Sequence, residues 1–158
     1  VTKQGGRRAA AHEVVIDARW LGVGGTSRVL QCLLDGVVAT GRASTVGLWV
    51  RDRTDDRFAD VTRAQRSGMS PLSLFFESTL PPARHYVFPH VLRPLWVRQC
   101  SVIIYDTIPL RYGSRIRRPI WWVIFRLSAR RASRVFTFSE FSRQRIADDT
   151  GMSLDCIQ

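Results

Sequence analysis

Residues 14–38 read VVIDARWLGVGGTSRVLQCLLDGVV. The stretch opens on the β-branched run Val14-Val15-Ile16, which predicts a buried strand ending near Asp17. Gly22-Val23-Gly24-Gly25 follows as a loop, because clustered glycines interrupt any regular element. Thr26 or Ser27 then stands ready to cap a helix. Val29, Leu30, Leu33, Leu34, Val37 and Val38 recur at three- and four-residue steps, the stripe of an amphipathic helix, and Gly41 stops it. A strand, a glycine loop and a helix in succession open a parallel α/β sheet.

The rest of the chain repeats that alternation. Thr45 to Val50 predicts a second strand, and Tyr86-Val87-Phe88 a short one. Val102-Ile103-Ile104-Tyr105 predicts a buried strand that ends at Asp106, and Arg134 to Phe138 another. Ile116 to Ser133 reads as a long helix. Ser139 starts a further helix that runs to about Thr150 and stops at Gly151. Leu154-Asp155-Cys156-Ile157 looks like the start of one more strand. Residues 51–70 read as a mixed-charge loop with a short helix after it. Pro71 to Leu80 reads as a further element, broken by Pro81-Pro82. The fold class is therefore α/β: a Rossmann-like open parallel sheet with helices on both faces.

A chain of 158 residues suits one domain, here residues 13–158, preceded by a basic, disordered tail over 1–12. That tail has no apolar segment of the kind a signal peptide needs. The longest apolar run, Ile120 to Phe125, is far short of a membrane span. The expected location is cytoplasmic, with peripheral attachment to the inner membrane face. A net charge of +11, carried by arginine except for Lys3, implies an anionic partner: nucleic acid, anionic lipid or a phosphorylated ligand. Cys32, Cys100 and Cys156 are too scattered for a zinc site or a disulfide framework and read as buried small side chains in a reducing compartment. His85 and His90 do not have a metal-ligand spacing, and His12 falls in the tail. No metal site is expected.

Four stretches carry candidate chemistry. Glycines at Gly22, Gly24 and Gly25 let backbone N–H groups approach a phosphate at a helix N-terminus, with Arg28 in the first turn; the plain alternative is a connecting turn. The spacing departs from a dinucleotide fingerprint, with Ser27 in place of the last small residue and Asp52 too far along to hold a ribose. Asp106 stands just past a strand's carboxyl end, where ligands of open sheets bind, or it caps the turn before Pro109. Ser139 opens a helix at a second such end, or simply caps it. Arg111, Arg115, Arg117, Arg118, Arg126, Arg130, Arg131 and Arg134 surround a helix whose Ile116, Ile120, Val123, Ile124 and Leu127 share one face. Arginine interleaved with tryptophan suits an anionic membrane surface; the alternative is a helix buried on two sides with a solvated basic rim, and nucleic acid ranks behind both.

Together these stretches resemble the amino-terminal domain of family-4 glycosyltransferases, enzymes of the GT-B fold. Val15-Ile16-Asp17-Ala18-Arg19 is similar to that family's opening strand, and Gly24-Gly25-Thr26-Ser27-Arg28 to its glycine loop. Val102 to Leu110 is similar to its strand followed by a His-Asp pair, and Phe136-Thr137-Phe138-Ser139-Glu140-Phe141-Ser142-Arg143 to its last strand and helix start. The resemblance implies retaining transfer from a nucleotide sugar, which is a substrate rather than a cofactor, to a lipid-linked or cell-envelope polysaccharide acceptor. It implies that Gly24, Gly25 and Thr26, with Arg28 nearby, lie against the donor diphosphate. Asp106 would face the acceptor or the transferred sugar, and Ser139 would open a helix at the cleft. Tyr105 stands where the family has histidine; a phenol titrating near ~10 shuttles protons poorly at neutral pH.

The family's second, donor-binding domain carries a closely spaced glutamate pair. Glu13, Glu77 and Glu140 offer no such pair. The expectation is thus an acceptor-side half, inactive alone and completed by a separate donor-binding domain. The rival expectation is a non-catalytic basic module that binds nucleic acid or another polyanion.

Overall fold

A computed structural model describes residues 12–51, 56–63 and 80–158. Among them, six strands form one all-parallel sheet: β1 (His12–Asp17), β2 (Val46–Val50), β3 (Asp60–Arg63), β4 (Ala83–Phe88), β5 (Cys100–Ile103) and β6 (Arg134–Phe136), in the order β3-β2-β1-β4-β5-β6. Among the described residues, four α-helices accompany it: α1 (Gly24–Ala39), α2 (Ile108–Tyr112), α3 (Arg118–Arg130) and α4 (Glu140–Thr150). This is a Rossmann-like α/β open sheet, as the alternation of periods predicts.

The pleat explains how one sheet serves two cores. Successive side chains of a strand point to opposite faces. Ile16, Leu48 and Val50 accordingly pack with Leu30 and Leu34 of α1, whereas Val15, Trp49 and Val102 pack with Ile124 and Phe125 of α3 and Ile146 of α4. Helices thus cover both faces, and strands buried on both sides are the continuous apolar runs seen in the sequence.

Several expectations are corrected. His12, assigned to the tail, is the first residue of β1 and pairs with Ala83; residues 1–11 lie outside the described residues. A strand, β3, occupies part of the stretch read as loop and helix. The element read over Pro71 to Leu80 lies almost wholly outside the described residues. Helix α1 begins at Gly24 with Val23 as N-cap, so neither Thr26 nor Ser27 caps it; the Ser27 hydroxyl instead accepts the Gly22 N–H at 2.8 Å. The long helix is shorter at both ends. Leu154–Cys156 is a 3-10 turn, after which Ile157 makes a single parallel bridge to Val135. Of the cysteines, Cys100 is buried and Cys32 and Cys156 are exposed.

The largest correction concerns α3. The residues expected to share one face are split: Ile124 is buried with Phe125, Ser128 and Ala129, while Ile120, Val123 and Leu127 are exposed. Ser128 is inward because it serves Arg93. That guanidinium is fully buried and donates to Ser128 Oγ at 3.1 Å, the Ser128 carbonyl at 2.7 Å, and the carbonyls of Val97 at 2.7 Å and Pro94 at 3.0 Å. It ties the connection from β4 to β5 onto α3. Burial pulls its pKa below the usual arginine value, but four acceptors satisfy the charge.

Candidate functional site

In open parallel sheets, ligands bind outside the strands' carboxyl ends, where the strand order reverses. Here β1 and β4 flank that reversal. Asp17 ends β1, and its side chain is consumed internally. Its Oδ1 accepts the Arg19 backbone N–H at 3.1 Å and Nε at 2.8 Å, and its Oδ2 accepts Nη2 at 2.7 Å. Both side chains are about 1% exposed, and the guanidinium lies 3.7 Å from the Trp49 ring centroid. This buried pair braces the turn that leads to the glycine loop.

The loop itself needs glycine. Gly22 and Gly24 have φ of 81° and 55°, a left-handed conformation that side chains disfavour. Helix α1 has no side-chain cap among the described residues, so its first amides, at Gly24, Gly25 and Thr26, point out of the helix. A Cβ at Gly24 or Gly25 would meet nothing within 4 Å. The two glycines and Arg28 are exposed.

Tyr105 connects the neighbouring strand ends. The Tyr105 phenol donates to the Pro89 carbonyl just beyond β4. The Tyr105 ring stacks on Phe138, with centroids 5.6 Å apart, next to Ser139. Burial pushes the Tyr105 phenol up to about 12, opposed by the nearby Thr26 hydroxyl and with help from Asp17. Its hydrogen is engaged by Pro89, which ties the end of β5 to the segment after β4.

Asp106 is exposed, and its Oδ1 accepts the Ile108 N–H at 3.0 Å, the turn-capping use. Ser139 Oγ accepts the Ser142 N–H at 3.1 Å, so it caps α4. Both capping alternatives therefore hold, and both residues still stand on the carboxyl edge. A hollow of about 150 Å³ has Asp106 on one wall and Phe141, Ser142 and Arg145 of α4 on the other, whereas Ser139 lines a separate hollow of about 530 Å³ with Thr137, Glu140 and Arg143. Helix α2 is anchored beside it by Asp149, which receives Arg111 at 2.9 and 3.0 Å and the Thr107 hydroxyl. Burial alone would raise the Asp149 pKa, but those hydrogen bonds outweigh it and hold the carboxyl below its usual value. A further hollow of about 480 Å³ borders the outer strand β6 and is lined by none of these residues.

His90 was passed over in the sequence because its spacing suits no metal. The structure places it two residues past β4, stacked on Trp20 with centroids 4.5 Å apart. Its Nδ1 accepts the Leu92 N–H at 3.0 Å, which leaves the ring hydrogen on Nε2. Burial lowers its pKa to about 4, partly opposed by Asp17 and Asp106 and reinforced by Arg19. The imidazole is thus neutral at pH 7. The signal for it was positional: Pro89-His90 directly follows a strand's carboxyl end. Trp20 Nε1, Trp49 Nε1 and Thr137 Oγ1 are buried without a hydrogen-bond partner among the described residues, and all belong to the carboxyl side of β1, β2 or β6. Such a group costs about 1–3 kcal/mol if left unpaired.

Among the described residues, no group of three or more His, Cys, Asp or Glu side chains gathers to hold a metal ion, and no helix is long and apolar enough to cross a membrane. Comparison with protein-family models and with curated proteins returned no match for this chain. The strand order is shared with dinucleotide-binding proteins, but a fold does not specify a ligand.

Proposed function

We propose that this carboxyl edge is the acceptor-side wall of a sugar-transfer cleft, in a retaining glycosyltransferase that takes a nucleotide sugar as donor and a lipid-linked or polysaccharide acceptor. One observation supports it most: the start of α1, Asp106 and the start of α4 lie at the carboxyl ends of β1, β5 and β6 on one edge of the sheet, where Tyr105 stacks on Phe138 and bonds the segment after β4. The free amides of Gly24 and Gly25, with Arg28, stabilise the charge of a leaving diphosphate. The exposed oxygen of Asp106 accepts from a sugar hydroxyl. Tyr105 holds the two segments at a fixed separation, and Ser139 fixes the start of α4. Transfer itself requires a second wall bearing the donor-binding groups.

Gly25 provides a clean test, since a side chain there meets no protein atom. In amide-resolved NMR titrations with nucleoside-diphosphate sugars, Gly24, Gly25 and Asp106 should shift. Gly25→Leu should keep the fold and abolish those shifts. If the titrations leave these amides unmoved while duplex DNA moves them, with affinity falling steeply in salt, the polyanion-binding alternative replaces this proposal.

A further inference from the structure

The structure turns an apolar stripe outward. Ile120, Val123 and Leu127 lie at three- and four-residue steps along α3, with Ile116 four residues earlier in the preceding turn. Their exposures are 85% for Ile116, 59% for Ile120, 45% for Val123 and 37% for Leu127. The core instead takes the neighbouring face, through Ile124, Phe125, Ser128 and Ala129. A helix facing only water would carry polar residues there, so the stripe marks a contact surface.

Charge selects the partner. Between Arg111 and Arg134 the sequence has no acidic residue. Arg115, Arg117 and Arg118 flank the start of the stripe, exposed and without a carboxylate partner among the described residues, and Arg130 follows Val123 by seven, on the same face. Trp122 is partly exposed, with the Arg126 guanidinium 4.8 Å from its ring centroid, a pairing that suits a boundary between apolar and polar media. A second copy of this chain would bring arginine against arginine, which like-charge repulsion opposes. Nucleic acid would satisfy the arginines and leave the isoleucines without a partner. An anionic bilayer offers both an acidic headgroup plane and an apolar layer beneath it.

We infer that the outward face of α3 and its preceding turn docks this protein on an anionic phospholipid surface, the apolar stripe entering the headgroup boundary and the arginines meeting the phosphates. The docking does not depend on the sugar-transfer proposal, since it uses none of the same residues.

Flotation of the full chain with vesicles tests it. Binding to phosphatidylcholine vesicles containing one-third phosphatidylglycerol should exceed binding to phosphatidylcholine alone by at least about tenfold, and should weaken as salt is raised. Ile120→Gln with Val123→Gln should lower binding about tenfold with the arginines intact. Arg117→Gln with Arg118→Gln should lower it similarly and flatten the salt dependence. All four positions are exposed, so melting curves should be unchanged. Equal or absent binding to the two vesicle types would overturn the inference. So would a dimer seen by sedimentation that Ile120→Gln dissolves, or anionic-vesicle binding that survives the double glutamine variant.

Discussion

Residues that look unremarkable in sequence carry much of the site's physics. His90 has no motif, yet its ring is stacked on Trp20, tied through Nδ1 and held neutral with a pKa near about 4. That depression has a sign that can be checked. Above pH 6.5 the histidine is neutral in both folded and unfolded chains and contributes no pH dependence. As pH falls from there, the unfolded chain takes up the proton first, so stability drops until the folded ring also titrates near about 4. Between pH 7 and pH 5 the loss from this group should be about 2 kcal/mol. Urea unfolding of the protein and of His90→Gln at both pH values measures it: the difference between them should shrink toward the acid side. Parallel pH profiles for the two proteins would place the buried imidazole elsewhere. Arg93 is a second case, a cation that reads as surface charge but bonds carbonyls in the interior, because no spacing rule announces a guanidinium serving a loop.

Elements were legible where their pattern is local. The β1–loop–α1 unit, α4 with its Ser139 cap and the left-handed Gly151 stop all follow from side-chain period and capping chemistry. Strand β3 was not legible because Asp60-Val61-Thr62-Arg63 is short and charged at both ends. It lies at an edge of the sheet, where charge discourages further pairing. The short helix α2 was also unforeseen, and it depends on one glycine. A Cβ at Gly113 would sit 2.3 Å from the Pro109 carbonyl oxygen, so Gly113→Ala must displace the backbone of α2. It should cost about 1–3 kcal/mol in urea unfolding. Gly25→Ala, in open space within a helix, should be neutral or stabilising by up to about 1 kcal/mol. Equal effects of the two substitutions would contradict the packing described at Gly113.

For the whole molecule, the sheet gathers the Gly24–Arg28 turn, Asp106 and Ser139 on one edge, but that edge forms a single wall. A ligand on one wall leaves much of its surface in water, so calorimetry of the chain alone with nucleotide sugars should give affinities weaker than micromolar. Sub-micromolar affinity would mean that these residues already enclose the donor. The sequence alone determined the α/β class and the parallel sheet, because hydrophobic period and turn chemistry are properties of neighbours along the chain. It also determined the basic character. The tertiary structure alone decided which side of α3 is inside, because that helix is apolar on more than one face. The choice was made by Arg93, reaching across from a distant loop to Ser128. It likewise decided that Tyr105 bonds Pro89 and stacks on Phe138 and that His90 is buried and neutral, since both facts depend on strand ends far apart in sequence meeting at one edge.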